Sequence, residues 1–169
     1  MGRLRWTVGP PVNHPTMTSI SPGASPVVVL DTNVVLDWLV FRDPGCDMLR
    51  DALATGAVRW CASAAMRGEL AHVLGRGVAR AWEPDIAALL SQWDRSCTEL
   101  TEPGPQRTSP CLRCSDPDDQ MFIDFGLAHG ARWLLSKDRA VLKLARRALP
   151  FGLDILTPAT WSARRTTAP

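Results

Sequence analysis

At 169 residues with a hydrophobic fraction of 46%, the chain is long enough for one domain with a helix-covered sheet and too apolar for global disorder. Its formal net charge of +2 is too small to mark a nucleic-acid binder by bulk charge. No apolar run reaches a membrane span or forms a secretory core, and the five cysteines (Cys46, Cys61, Cys97, Cys111, Cys114) follow no disulfide framework, so a reducing cytoplasm is the expected compartment.

Residues 1–26 are rich in Pro, Gly and Ser without apolar periodicity and read as a disordered leader, with Met17 as the expected natural start. Val27-Val28-Val29-Leu30 then reads as a buried parallel strand that runs into Asp31. An aspartate at a strand's carboxyl end either caps the next helix or faces a ligand crevice, and on its own it fits both roles equally. Val34, Val35, Trp38 and Leu39 mark one helix face, which Phe41 to Gly45 breaks; a second helix spans about Cys46 to Ala54 and stops at Gly56. Val58 to Ala62 is the second strand.

Ser63 suits the N-cap of a third helix striped by Met66, Leu70, Val73 and Leu74. At 100° per residue Glu69 falls inside that apolar arc, where a carboxylate needs compensation unless it reaches solvent. A fourth helix is expected from Pro84 at N1 through Trp93, and Cys97 to Leu100 as a short strand. Thr101 to Pro117 is a long connection of the kind that often carries function. Its Cys111 and Cys114 lack a second ligand pair and read as ordinary thiols, not a zinc knuckle.

Asp116, Asp118 and Asp119 precede an apolar helix (Met121 to Ala128) that stops at Gly130. Helix starts favour acids, but three carboxylates in four positions exceed what capping needs. Trp133-Leu134-Leu135 leads through Ser136 and Lys137 to Asp138, repeating the strand-then-aspartate arrangement of Asp31. A last helix (Val141 to Ala145) ends before Pro150; Ile155 to Pro158 reads as an edge strand, and 162–169 as a flexible tail. The basic residues are nearly all arginines, a preference that suits phosphate and equally reflects coding bias. The three histidines show no general-base partner, and the seven tryptophans, spread over helix faces and strands, read as core, not a base-stacking platform.

Two strand-end aspartates, an inward glutamate and a helix-start aspartate gathered at one sheet edge would repel one another and take up protons. A hard divalent cation, Mg²⁺ or Mn²⁺, is the usual remedy for an all-oxygen cluster without histidine, and it serves phosphodiester hydrolysis. Leu30 to Asp37, Glu69, Asp116 to Phe122, Leu134 to Asp138 and Ile155 to Pro158, in that order, resemble the PIN-domain nucleases, above all the bacterial toxins of toxin–antitoxin systems. The likeness covers 27–161.

The resemblance implies an α/β fold, a three-layer α/β/α sandwich around a parallel sheet, that cleaves single-stranded RNA with Mg²⁺ or Mn²⁺. Matched position by position, Asp31, Glu69, Asp119 and Asp138 are the catalytic metal ligands, with Asn33, Asp116, Asp118 and Ser136 lining the site. Asp119 is preferred over its neighbours for its interval to the helix end at His129-Gly130. No family motif marks the RNA grip; Arg67, Arg76, Lys137 and Arg139 lie at the expected rim. A cognate antitoxin protein and a homodimer are implied partners. A haloacid dehalogenase-type phosphohydrolase would want an aspartate where Asn33 stands. A non-catalytic PIN-like or receiver-like metal-binding module is the rival of a different class.

Overall fold

A computed structural model describes residues 25–104 and 112–166; the expected leader through residue 24, the expected start at Met17, Cys111 and residues 167–169 of the expected tail lie outside them. Strand β1 (Val27–Leu30) is fully buried from Val28 on, as an unbroken β-prone run requires of a strand covered on both faces. After it come α1 (Thr32–Leu36), a π-helical turn (Asp37–Phe41), a 3-10 turn (Pro44–Cys46), α2 (Asp47–Ala54), β2 (Arg59–Ala62) and α3 (Ala64–Gly75). A 3-10 turn (Arg80–Trp82), α4 (Ile86–Ser96) and β3 (Cys97–Glu99) complete the first half. The second half holds α5 (Gln120–Ala128), β4 (Trp133–Leu135), α6 (Arg139–Leu142), α7 (Ala145–Ala148), a 3-10 turn (Leu149–Phe151), β5 (Asp154–Leu156) and α8 (Pro158–Thr166).

Every strand pairing is parallel, in the order β3-β2-β1-β4-β5. The chain winds outward from β1 to β3, then crosses back to build β4 and β5 on the other side of β1. Right-handed crossovers in the two directions put helices on opposite faces, which gives the α/β/α sandwich. The winding reverses between β1 and β4. Beyond the carboxyl ends of those two strands lies the crevice in which open α/β sheets bind ligands.

Register sets the core. Val28 pairs with Trp60 on one side and Trp133 on the other, so these three side chains share one sheet face. There Trp60 meets Trp38 and Trp93 edge-on, with centroids 5.8 and 4.4 Å apart, and Trp133 meets Trp161 at 5.8 Å. Trp82 departs from the expected core role: it is 57% exposed and packs at a tilt against Phe41, with ring centroids 4.6 Å apart.

Local differences from the sequence expectation have physical causes. The first helix widens into a π turn after Leu36 and ends on Arg42 in the left-handed region (φ 53). Asp85, not Pro84, sets the start of α4, because its carboxylate accepts the Ala88 N–H at 3.0 Å. The expected last helix breaks between Leu142 and Ala145. Residues 162–166, expected in the tail, continue α8: the Thr157 hydroxyl accepts the Thr160 N–H at 3.1 Å, and Trp161 anchors the helix at 1% exposure. The long connection is tied down where it rejoins α5. Leu112 is fully buried, and the Gln120 amide accepts from Cys114 N–H (2.7 Å) while donating to the Leu112 carbonyl (3.3 Å).

Candidate active site

Asp31 leaves β1 in extended backbone (ψ 151) and is 3% exposed. It does cap α1, accepting the Asn33 N–H at 3.4 Å. A cap uses one oxygen, and Asp31 is held by more. The Asn33 side-chain amide donates to its other oxygen at 2.8 Å, and the fully buried Ser136 hydroxyl donates to that same oxygen. Burial pushes the Asp31 carboxyl above its ordinary range; the Ser136 and Asn33 hydrogen bonds oppose the rise, and the charge of Asp138 adds to it.

On the neighbouring strand tip, Asp138 caps α6 through the Ala140 N–H (2.6 Å), and its own N–H donates to Ser136 Oγ (2.9 Å). Ser136 therefore joins the two strand-end aspartates: its hydroxyl gives a proton to one side chain and takes the other's main-chain N–H. This joint depends on β1 and β4 being neighbours, which their positions 105 residues apart in the chain conceal.

The two helical acids arrive from opposite layers. Glu69, on α3 between the buried Met66 and Leu70, is half-buried, and its Oε2 is a buried oxygen without a hydrogen-bond partner among the described residues. Burial, then the charge of Asp31, raises its pKa, against a hydrogen bond from Thr32, while Asp118 and Asp116 add to the rise. Asp119 sits at the start of α5 with helical backbone (φ −79, ψ −12), and its side chain makes no capping hydrogen bond. Capping therefore does not explain it. Burial first, then Asp31, Asp138, Asp116 and Glu69, pushes its carboxyl up to about 7. Asp116 and Asp118 are exposed and linked locally, Asp116 accepting the Asp118 N–H at 3.0 Å.

Near the crevice of the strand reversal, Asp31 thus feels the charge of Asp138, Glu69 that of Asp31, and Asp119 those of all three. As the side chains stand, no three His, Cys, Asp or Glu residues among the described ones are drawn close enough to grip a metal ion. The four meet through their fields, not through contact. A donor set of carboxylate oxygens without thiol or imidazole, including one buried oxygen lacking a hydrogen-bond partner among the described residues, fits a hard divalent cation.

The rim residues differ from one another. Arg67 spends its fork on Asp94 of α4, at 2.7 and 3.0 Å. Lys137 places its ammonium 2.6 Å from both Asp37 and Asp43. Arg76, at the C-cap of α3, and Arg139, in the first turn of α6, are exposed. Thr32, Asp37 and Asp43 carry no sequence signal of a place at the site; Asp37 lies one helical turn after Asn33, and Asp43 reads only as part of a helix-breaking stretch.

A family model described as PIN domain matches residues 27–140. The chain belongs to the PIN domain family. PIN domains are generally nucleases that use divalent metals, and the matched span contains all four acids. A chain in the crystal structure of VapBC2 from Rickettsia felis bound to a DNA fragment from their promoter superposes with a TM-score of 0.54 at 13% identity, covering 76% of this chain and 96% of that one. At that identity the likeness speaks for the PIN fold alone. No curated protein matches the sequence. Among the described residues no helix is long and apolar enough to cross a membrane.

Proposed function

We propose that this PIN domain is a Mg²⁺- or Mn²⁺-dependent endoribonuclease of single-stranded RNA and the toxin of a toxin–antitoxin pair, working in the cytoplasm. One observation carries the catalytic part: Asp31, Glu69 and Asp138, from three distant segments, act by charge on Asp119, which burial and these neighbours push up to about 7, and Glu69 Oε2 is buried and, among the described residues, unpartnered. Such a cluster costs stability unless a cation or protons neutralise it, so selection for the fold alone would not assemble it.

Asp31, Glu69, Asp119 and Asp138 would hold the ion. When bound, the ion activates water and stabilises the charge on a phosphate during in-line displacement. The protein's part is orientation. Ser136 and Asn33 fix both oxygens of Asp31, while Ser136 Oγ fixes the main chain at Asp138. Glu69, with a hydrogen bond from Thr32 on one oxygen only, and Asp119, without a capping bond, would supply charge that can adjust to the ion. The VapBC2 assembly of the structural neighbour and the motifs shared with bacterial PIN toxins support a cognate antitoxin as partner; a homodimer is implied by the family resemblance only.

The test is cleavage of a panel of single-stranded RNAs by purified protein in Mn²⁺ or Mg²⁺, with EDTA and Asp31→Asn controls. Metal-dependent cleavage lost in the variant is expected. Cleavage that survives EDTA or the substitution refutes the mechanism, and metal binding without cleavage of any RNA favours a non-catalytic PIN module.

A further inference from the structure

Lys137 lies between Ser136 and Asp138 at the tip of β4, a position from which a lysine would be expected to grip a phosphate of the substrate. Its surroundings oppose that use. The ammonium is 2.6 Å from Asp37 Oδ2 and 2.6 Å from Asp43 Oδ2, so one positive charge is already met by two negative ones. These two hydrogen bonds, ahead of any other influence, raise its proton affinity. A phosphate would have to displace two charge-assisted bonds to reach it.

The segment that carries the carboxylates is itself anchored. Asp43 caps the 3-10 turn, accepting the Gly45 N–H on its other oxygen at 2.8 Å, and the Asp43 N–H donates to the Asp37 carbonyl at 2.9 Å. Asp37 opens the π turn, which follows directly on the helix that Asp31 caps. An isolated surface ion pair leaves a lysine free to swing and contributes little. Two acceptors on one anchored segment hold it in place.

The main chain of the same residue completes the arrangement. Lys137 N–H donates to Asn33 Oδ1 at 3.0 Å, and the Asn33 amide nitrogen donates to Asp31 at 2.8 Å. With the Asp138 N–H on Ser136 Oγ and the Ser136 hydroxyl on Asp31, residues 31, 33, 136, 137 and 138 form one hydrogen-bonded ring joining the tips of β1 and β4. We propose that Lys137 is a positioning residue: its side chain, clamped by Asp37 and Asp43, holds this ring in register so that Asp31 and Asp138 face one ion. The inference rests on the nuclease reading above.

The experiment compares wild type, Lys137→Met, Lys137→Arg and the double variant Asp37→Asn/Asp43→Asn, each checked for cooperative unfolding, with single Asp43→Asn as the milder variant should the double one not fold. Three measurements are made: exchange of the Lys137 and Asp138 amides without metal, Mn²⁺ affinity by titration, and the kinetics on RNA, giving kcat and KM. Removing a cation beside an acidic cluster would by charge alone strengthen Mn²⁺ binding. Positioning predicts the opposite: in Lys137→Met, Mn²⁺ affinity and kcat each fall roughly 10- to 100-fold, both amides exchange faster, and KM holds. The double variant shows the same losses although its lysine is set free, and Lys137→Arg restores most of the function.

Wild-type exchange and Mn²⁺ affinity in Lys137→Met, beside a wild type that binds and cleaves, overturns the inference and leaves the nuclease standing. A rise in KM alone in Lys137→Met, with a lower KM in the double variant, assigns the lysine to RNA and also overturns it. A wild type that neither binds Mn²⁺ nor cleaves RNA removes the nuclease reading and this inference together.

Discussion

Asp119→Asn should make the metal-free protein more stable at pH 8. In the fold the Asp119 carboxyl keeps its proton to about pH 7, whereas its unperturbed value is 3.8. Between those values folding takes up a proton, so stability falls as pH rises through the window and levels off above it. A shift of about three units at ~1.4 kcal/mol per unit would be ~4 kcal/mol. Solvent at this half-open position screens much of that, leaving about 1–2 kcal/mol. Asparagine cannot ionise, so the variant lacks this fall. Urea denaturation in EDTA should therefore show the two proteins close together at pH 4 and the variant ahead by that margin at pH 8. Mn²⁺ at 100 times its Kd should restore ~2.7 kcal/mol to the wild type, and less to the variant at the same concentration. A variant less stable than wild type at pH 8 in EDTA would refute the reasoning, because it would mean that Asp119 serves the fold instead of straining it.

Other substitutions probe separate parts of the structure. Ser136→Ala removes the hydroxyl that donates to Asp31 and leaves the Asp138 N–H without its acceptor; a loss of ~1–3 kcal/mol in urea unfolding is expected, together with loss of metal-dependent cleavage. Glu69→Gln removes the charge from a carboxylate with a buried, unpartnered oxygen. In EDTA at pH 8 its Tm should rise, whereas the increment that Mn²⁺ adds should shrink; an unchanged Mn²⁺ increment would remove Glu69 from the ligand set. Leu112→Ala should cost ~2–5 kcal/mol by calorimetry, since Leu112 is fully buried within the long connection. A cost under about 1 kcal/mol, the range of ordinary surface changes, would mean that this connection is not packed against the core.

Where one residue's chemistry dictates its surroundings, the sequence was readable. The apolar run before Asp31, its echo before Asp138 and the inward angle of Glu69 are each local, and they single out three acids with the strand order still unknown; Asp119 stood out from Asp116 and Asp118 only through the family resemblance. What stayed hidden depends on partners distant in the chain or on weak signals. Helix α8 has a polar composition with Trp161 as its one deeply buried side chain besides Pro158, so it read partly as tail. Leu112 looked like any loop leucine until Gln120, eight residues on, bonded its carbonyl. Lys137 looked like a free cation because neither Asp37 nor Asp43 carries any mark of facing it across 94 or more residues.

The strand tips and the helical acids are held by different means, and this division follows from the topology. Asp31 N–H bonds the Leu135 carbonyl at 3.0 Å and Ser136 N–H bonds the Leu156 carbonyl at 3.0 Å, so the main-chain ladder runs one residue past the strands on both sides of β4. Displacing Asp31 or Ser136 would break sheet hydrogen bonds. Glu69 and Asp119 have no such ladder; their helices are seated by apolar packing through Met66 and Leu70 on one layer and Phe122 and Ile123 on the other. Packing tolerates small shifts of a side chain that a hydrogen-bonded ladder does not. A pair of acids fixed by the sheet, facing a pair that can adjust, suits a site whose charge must change as an ion or a phosphate arrives.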